Sequence, residues 1–210
     1  ILDSQVYVSE LRVLGGEPFL AQHFDQHIEL LLSYDNIGLI SIMTNGTILP
    51  TEQTLSLCRN SRVHITVSDY NDLSRKKDEL LRELVKHHIL HRVYEIDGWR
   101  DCNKIEYKEM DDVLLEKKYL ACSVSNCWTL YNDYLFLCPY NAGVTVLHAV
   151  PEEMTDAIII RDIPQSEIIS IVKQFKNTRK SNICKYCNGR PKSVVDIEIA
   201  KQIKHKHSFH

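Results

Sequence analysis

Two cysteines near the end of the chain are spaced as metal ligands usually are. Cys184 and Cys187 form a C-x2-C motif, which Asn188-Gly189 follows directly. Thiolates at this spacing can bind one metal ion or one cluster, and a glycine after them lets backbone amides turn toward the sulfurs. The motif therefore indicates half of a four-cysteine site for a structural zinc or a [4Fe-4S] cluster.

A second pair, Cys127 and Cys138, flanks a segment that is typical of a β-hairpin. Its centre is Asn132-Asp133, and both residue types tolerate the backbone of a two-residue turn. In this register Tyr131 faces Tyr134, and the two cysteines lie opposite each other with Cα atoms about 4.5–5.5 Å apart. The pair would complete the four-sulfur site, and a disulfide between them is the alternative.

The other three of the seven cysteines have different assignments. Cys58 falls within an amphipathic helical pattern, which predicts a plain core thiol. Cys122 and Cys102 are each an alternative fourth ligand if Cys127 is not one. An odd number of cysteines without a secretory signal favours a reducing cytoplasm over a disulfide framework.

The composition predicts a soluble globular protein. The 210 residues are 44% hydrophobic and 25% charged, which is enough apolar material for a substantial core. Lys and Arg number 25 and Asp and Glu 28, so the net charge of −3 provides no basic face for nucleic acid. No apolar run is long enough to span a bilayer, so we expect no membrane partner.

Strand and helix patterns alternate over roughly the first hundred residues. Repeated strand-helix units imply parallel pairing with right-handed crossovers, hence an α/β fold built on a doubly wound sheet or a whole or partial barrel. The predicted strands are 6–14, 37–43, 62–67 and 91–96, and the predicted helices are 20–34, 51–58 and 72–88.

A different module is predicted after about residue 98. Helical stripes largely disappear, residues 118–150 have the pattern of strands and turns, and a helical or mixed segment covers 164–177. The residues from about 200 onward are rich in lysine and histidine, which predicts a frayed tail. We therefore divide the chain into domains 1–100 and 101–210.

Three short motifs at the ends of predicted strands resemble those of the radical S-adenosylmethionine superfamily. Gly15-Gly16-Glu17-Pro18 resembles the GGEP motif that follows the second barrel strand, and Thr44-Asn45-Gly46 resembles the TNG segment after the next one. Ser68-Asp69 ends the strand after that, where family members present groups to the ribose of the cofactor. The cysteines of the second module are similar to the twitch and SPASM modules that carry auxiliary clusters.

The resemblance covers essentially the whole chain and implies a partial (β/α)6 TIM-like barrel without its first strand and helix. A small C-terminal module of hairpin and helix, rich in cysteine, would follow. It also implies that the Glu17 carboxylate accepts a hydrogen bond from the ammonium of S-adenosylmethionine. The implied cofactor contacts are Gly15, Gly16, Glu17, Pro18, Asn45 and Ser68.

The implied activity is that of an oxidoreductase or modifying enzyme that uses a 5′-deoxyadenosyl radical. Its substrate would be a small molecule, a sugar or a peptide, and its electron donor a flavodoxin or ferredoxin. One auxiliary [4Fe-4S] cluster would accept an electron or anchor the substrate. The implied ligands of that cluster are Cys127, Cys138, Cys184 and Cys187.

One motif of the family does not occur in these residues. The C-x3-C-x2-C motif that binds the catalytic cluster is absent, and the chain starts at Ile1, just before what would be the second barrel strand. We expect the motif to lie upstream of Ile1 and this fragment alone to be inactive. The alternative is a non-catalytic barrel remnant or binding module whose four cysteines bind a structural zinc.

Overall fold

A computed structural model describes residues 1–4, 6–101, 104–190 and 196–199 of the chain. Contacts between residues divide it into two compact units. The first is Leu2–Trp99 and the second is Arg100–Ile197.

The first unit is built on a parallel sheet of four strands. They are β1 (Val8–Val13), β2 (Ile37–Thr44), β3 (Val63–Asp69) and β4 (His91–Glu95), and they pair in the order 1-2-3-4. Strand and helix alternate along this part of the chain, so the predicted α/β class is confirmed. Because all four strands run in one direction, their carboxyl ends lie along one edge of the sheet.

Three helices cover one face of this sheet: α1 (Phe24–Leu32), α2 (Glu52–Cys58) and α3 (Lys77–Lys86). The Thr51 side chain caps α2 by accepting a hydrogen bond from the backbone N–H of Thr54 at 3.1 Å. Helices α1 and α3 begin later than the pattern predicted, and each follows a 3-10 turn, at Pro18–Leu20 and Asn71–Leu73 respectively.

The core lies between these helices and the sheet. Buried side chains from every helix meet those of the two central strands, and burial of one such side chain is worth about 1.5–3 kcal/mol. The fully buried members are Ile28, Ile37, Ile40, Ile42, Val63, Ile65, Val67, Leu80 and Leu84.

The described residues of the second unit form short strands and three α-helices. The strands are β5 (Trp99–Arg100), which begins at the last residue of the first unit, β6 (Thr129–Tyr131), β7 (Tyr134–Phe136), β8 (Ile158–Ile159) and β9 (Asp196–Ile197). Strands β6, β7 and β8 form an antiparallel sheet, and β5 pairs with β9. The helices are α4 (Asp112–Ala121), α5 (Pro139–Val146) and α6 (Gln165–Lys176). A small core forms where Trp128 packs edge-on against Phe175, with ring centroids 5.5 Å apart.

The predicted hairpin is confirmed in its register. Tyr131 pairs with Tyr134 and Leu130 with Leu135, and the turn residues Asn132-Asp133 have φ of 46° and 67°. Two positive φ angles in succession belong to a type I′ turn, whose twist matches that of the strands. The ladder ends at Thr129 and Phe136, so Cys127 and Cys138 lie beyond its paired residues.

The prediction of strands and turns throughout residues 118–150 was wrong, because α4 ends within this range and α5 lies inside it. In α4 Leu115 is buried, whereas Val113 and Leu114 are exposed, so the apolar residues form no single stripe. Helix α5 contains the strand-favouring run Val144-Thr145-Val146. The predicted tail from residue 200 lies outside the described residues.

The described helices are too short to cross a bilayer. The longest, α6, has 12 residues, whereas a span needs about 20.

Candidate functional site

The Glu17 carboxylate links the ends of the first two strands. It is 8% exposed, and it accepts hydrogen bonds from the backbone N–H groups of Phe19 at 3.3 Å and Asn45 at 2.9 Å. The Thr44 hydroxyl lies 2.9 Å from each carboxylate oxygen and donates to one of them. Glu17 is thus hydrogen-bonded to the turn that ends β2.

Ser74, which is 4% exposed, links the turn after β2 to the end of β3. Its hydroxyl lies 2.6 Å from the backbone oxygen of Asn45 and 3.3 Å from that of Ser68. Gly46 follows Asn45 in the turn after β2, and its φ of 67° is a backbone conformation that is costly for residues other than glycine. The predicted positions Glu17, Asn45 and Ser68 therefore belong to one connected edge.

The same edge is completed by an ion pair at the end of β3. The Lys77 ammonium lies 2.6 Å from Asp69 Oδ2, and the backbone N–H of Asn71 donates to Oδ1 at 2.9 Å. The hydrogen bond with Asp69 raises the pKa of Lys77. Because this carboxylate already has its cation, Asp69 positions the loop that follows β3.

Glu17 differs from Asp69 in having only neutral partners. Three donors reach its carboxylate, and in the part of the chain that the structure describes no Lys, Arg or His forms an ion pair with it. An ionised carboxylate offers about four acceptor positions, so one further donor can be accommodated. A cationic donor would also compensate the buried charge.

The two glycines before Glu17 have no structural requirement of their own. Neither Gly15 nor Gly16 has a positive φ, and a Cβ built on either would meet no atom within 4 Å. The backbone is therefore open at this point beside the buried carboxylate. Pro18 follows Glu17, is buried, and begins the short 3-10 helix.

In the second unit, four cysteines line a cavity of about 30 Å³. Three of them, Cys138, Cys184 and Cys187, are predicted ligands, and the fourth is Cys122, which was the alternative to Cys127. The other lining residues are Lys118, Val124, Tyr140, Ile183, Gly189 and Arg190.

The local sequence directs donors toward these sulfurs. The backbone N–H of Gly189, with φ of 74°, lies 3.2 Å from Cys187 Sγ, as the C-x2-C-N-G motif predicts. Cys138 precedes α5, and its Sγ accepts the backbone N–H of Asn141 at 3.4 Å. Such hydrogen bonds stabilise thiolates and tune bound metals.

The segment that contains Cys184 and Cys187 is anchored through its backbone. The Lys118 ammonium donates to the carbonyl oxygens of both cysteines. Tyr140 Oη donates to the carbonyl of Tyr186 at 2.7 Å. These contacts hold the sulfurs of the motif toward the cavity.

Burial shapes the charge states around the cavity. It raises the pKa of the Cys184 thiol to about 12, with further increases from Cys138 and Cys187. Burial likewise raises the pKa of Cys138 and lowers that of Lys118. Four thiols gathered this closely are costly to ionise without a cation between them.

A buried guanidinium nitrogen without a hydrogen-bond acceptor lies at the same cavity. Arg190 Nε is fully buried and has no partner among the described residues. Together with Lys118 it brings two positive charges to a cavity lined by four thiols. A metal ion or cluster bound by four thiolates carries a net negative charge, which these two cations would compensate.

The described cysteine sulfurs are farther apart than the sulfurs of a closed zinc site. Zinc with bonds of about 2.3 Å in tetrahedral geometry brings its four sulfurs within about 3.8 Å of one another. No three of the described cysteine sulfurs lie within 4.8 Å of one another. In a [4Fe-4S] cluster each thiolate binds a different iron, so the sulfurs are farther apart.

Of the other three cysteines, Cys58 is a core thiol of α2 at 1% exposure, and Cys102 falls outside the described residues. Cys127 does not line the cavity, although its thiol is near enough to Cys138 to contribute to the raised pKa of that residue. The sequence interpretation missed Lys118 and Arg190, because single cations without a repeated spacing have no recognisable pattern. No protein-family model matches this chain, and no curated protein is significantly similar to it in sequence.

Proposed function

We propose that this chain is part of a radical S-adenosylmethionine enzyme. Its first unit would bind S-adenosylmethionine, and its second unit would bind an auxiliary [4Fe-4S] cluster. The observation that carries the proposal is Glu17, a buried carboxylate with neutral partners next to two exposed glycines. A ligand that combines an ammonium with a group in close contact with backbone fits both features.

The order of the strands supports a partial barrel as the scaffold. A doubly wound sheet reverses its strand order and receives helices on both faces. Here the order is 1-2-3-4 and helices α1, α2 and α3 share one core on one face. That arrangement is typical of an arc of a (β/α) barrel, in which ligands bind at the carboxyl ends of the strands.

Within this site each residue has a defined task. Gly15 and Gly16 would admit the methionyl part of the cofactor to the backbone, and Glu17 would hold its ammonium. Asn45 and Ser68 lie along the same edge and would contact its ribose or carboxylate, with Ser74 fixing their spacing. The bound cofactor would supply a 5′-deoxyadenosyl radical for hydrogen abstraction.

For the second unit we propose Cys122, Cys138, Cys184 and Cys187 as the cluster ligands. The spacing of the sulfurs supports a cluster over a structural zinc, and the two cations at the cavity suit the net negative charge that four thiolates give to either kind of site. Lys118 would orient the C-x2-C segment, and the backbone N–H of Gly189 would donate to a ligand sulfur. A reducing compartment such as the cytoplasm would keep the four thiols available.

The 210 residues contain no C-x3-C-x2-C motif. The proposal therefore requires that residues outside them hold the cluster that reduces S-adenosylmethionine. A flavodoxin or ferredoxin would deliver the electron, and the substrate would be a small molecule, a sugar or a peptide. On its own the chain is expected to bind its cofactors without turnover.

Anaerobic reconstitution with iron and sulfide tests the second unit. Iron counting and electron paramagnetic resonance after dithionite reduction are expected to give about four irons per chain. The signal should disappear in Cys184→Ala. A colourless protein with one tightly bound zinc and no iron uptake would instead establish the structural site.

A nuclear magnetic resonance titration with S-adenosylmethionine tests the first unit, because it detects even millimolar binding. The backbone signals of Gly15, Gly16 and Asn45 are expected to move. 5′-Methylthioadenosine, which lacks the ammonium, is expected to bind more weakly and to leave Glu17 unaffected. Identical shifts with both ligands, or none with either, would exclude the assigned role of Glu17.

A further inference from the structure

The face of the parallel sheet opposite the helices carries mostly polar side chains, although Leu39 and Met43 also lie on it. Strands of parallel sheets are usually apolar on both faces. Here Ser41 and Thr66 are 0% exposed on the two central strands and face away from the core. The polar members of this face, which we call the polar face, are Glu10, Arg12, Ser41, His64, Thr66, Ser68, Arg92 and Tyr94.

The strand register places these side chains in two neighbouring rows. Arg12, Ser41 and His64 form one row, because Arg12 pairs with Ser41 and Ser41 with His64. Met43, Thr66 and Arg92 form the other row, two residues farther along the strands. Each row crosses three strands that lie about 4.8 Å apart, so it is about 10 Å long, and an extended peptide of about three residues would span it.

Charge is balanced at the β1 end of the polar face. Arg12 donates two hydrogen bonds of 2.9 Å to the Glu10 carboxylate, and the Ser41 hydroxyl donates to the same carboxylate at 2.8 Å. The hydrogen bond from Arg12 lowers the pKa of Glu10. This end therefore has hydrogen-bonding capacity but no net charge.

Charge is not balanced at the β4 end. Arg92 Nε donates to Thr66 Oγ1 at 3.1 Å, and its guanidinium carbon lies 4.9 Å from the centroid of the Tyr94 ring. Over the described residues no carboxylate pairs with Arg92, and its two Nη atoms have no hydrogen-bond partner. The guanidinium is exposed but held in one orientation.

We propose that the polar face binds the substrate and that Arg92 binds an oxyanion group of it, either a carboxylate or a phosphate. The identification of this ligand as the substrate rests on the proposed function. The two Nη groups of one guanidinium match two oxygens of such an anion. Thr66 and Tyr94 restrict the Arg92 side chain, so less conformational entropy is lost when an anion binds.

His64 would provide a neutral polar partner beside this anion. Burial, together with the nearby charge of Arg92, lowers the pKa of His64, so the imidazole is uncharged at neutral pH. The net charge of the polar face is then the single positive charge of Arg92. Substrates with one negative group at one end and neutral hydroxyl or amide groups at the other fit this distribution.

Titration of the full chain with acetate and with inorganic phosphate tests the proposal by nuclear magnetic resonance. Sodium chloride at matched ionic strength serves as the reference for nonspecific anion effects. The backbone signals of Thr66, Arg92 and Tyr94 are expected to move with saturation. Arg92→Gln should weaken anion binding about tenfold or more. Arg92→Lys should weaken it by a smaller factor, because lysine keeps the charge but lacks the two parallel N–H donors of the guanidinium.

Arg82→Gln is the matched control, because this exposed arginine of α3 carries the same charge on the helical side of the unit. Its affinity for both anions should equal that of the unchanged chain. Equal affinity in Arg92→Gln, or shifts that chloride reproduces, would overturn the proposal. The titration needs neither S-adenosylmethionine nor iron, so anion binding without cofactor binding would sink the proposed function and leave the Arg92 site intact.

Discussion

Glu17 and Thr44 join the ends of two neighbouring strands through a hydroxyl that lies 2.9 Å from both carboxylate oxygens. Both residues are buried, at 8% and 1% exposure. The loop after β1 and the turn after β2 are therefore one structural feature, although 27 residues separate Glu17 from Thr44 in the chain. A change at either residue is expected to affect both segments.

Glu17→Gln is expected to lower both S-adenosylmethionine affinity and stability. Each carboxylate oxygen of Glu17 accepts a backbone N–H, so the glutamine NH2 leaves one of these donors without an acceptor, and the free energy of unfolding should fall by about 1–3 kcal/mol. Loss of the charge removes the partner of the ammonium, which should weaken binding about 10- to 100-fold. Equilibrium dialysis and urea denaturation measure the two effects. Glu29→Gln, on the exposed side of α1, should change neither quantity, and equal affinities of all three proteins would contradict the role of Glu17.

Gly16 and Gly38 are expected to be needed for different reasons, Gly16 for cofactor binding and Gly38 for folding. Gly16→Ala is expected to leave the unfolding temperature unchanged, since a Cβ there meets no atom within 4 Å. Gly38→Ala is expected to destabilise the first unit by about 1–3 kcal/mol, because a Cβ there would lie 2.8 Å from the backbone oxygen of Ser9. Calorimetry measures both.

The two glycine variants should show the opposite order when cofactor binding is measured instead of stability. Gly16→Ala is expected to abolish detectable S-adenosylmethionine binding, whereas Gly38→Ala should retain it at temperatures where the unit is folded. A Gly16→Ala protein that binds the cofactor normally would show that this glycine serves only the loop.

The strand ends could be predicted from sequence because turn-forming residues follow each of these strands directly. Gly15-Gly16 and Asn45-Gly46 stop an apolar run, and parallel strands bring such stops to one edge. Ser74 could not be predicted in this role. It lies in a polar stretch before α3, and only the folded chain brings its hydroxyl to Asn45.

The cysteine cavity was predictable in part for the same reason. The C-x2-C motif and the hairpin register follow from short-range spacing, and the structure reproduces the register. That Cys122 rather than Cys127 lines the cavity depends on α4, which ends at Ala121 and which the scattered apolar residues of this segment did not predict. The polar face was also missed, because alternating polar residues on parallel strands are paired by a register that sequence alone does not reveal.

Cys122 and Cys127 are expected to differ in cluster formation. Cys122→Ala should reduce the iron content after reconstitution and change the paramagnetic signal, since Cys122 lines the cavity with the other three sulfurs. Cys127→Ala should retain about four irons per chain. Loss of iron in Cys127→Ala with full retention in Cys122→Ala would reverse this assignment.

Cys58 is expected to be inert toward alkylating reagents in the folded protein. Burial, with a smaller contribution from Asp25, raises the pKa of its thiol to about 12. At pH 8 its thiolate fraction is then lower than that of a free cysteine by a factor on the order of 10³. Iodoacetamide labelling followed by peptide mass spectrometry should modify Cys127 within minutes and Cys58 only in urea. Equal labelling rates in the folded chain would contradict the buried position of Cys58.

His64 is expected to titrate below its ordinary range and to make the first unit less stable in mild acid. Burial is the largest cause of its lowered pKa, and Arg92 is the next. As the pH falls through about 6.5, the unfolded chain takes up a proton that folded His64 does not, so this contribution to stability is present above that pH and lost below it. The ring proton shift of His64 measures the pKa directly.

Two variants separate the causes of that shift. Arg92→Gln should raise the pKa of His64 only part of the way, because burial of the imidazole remains. Glu10→Gln should lower it further, because the Glu10 carboxylate acts in the opposite direction. The chain has ten histidines, so the loss of stability between pH 7.5 and 5.5 is compared with that of His64→Gln, which should be smaller. A His64 pKa that does not respond to Arg92→Gln would place the guanidinium away from the polar face.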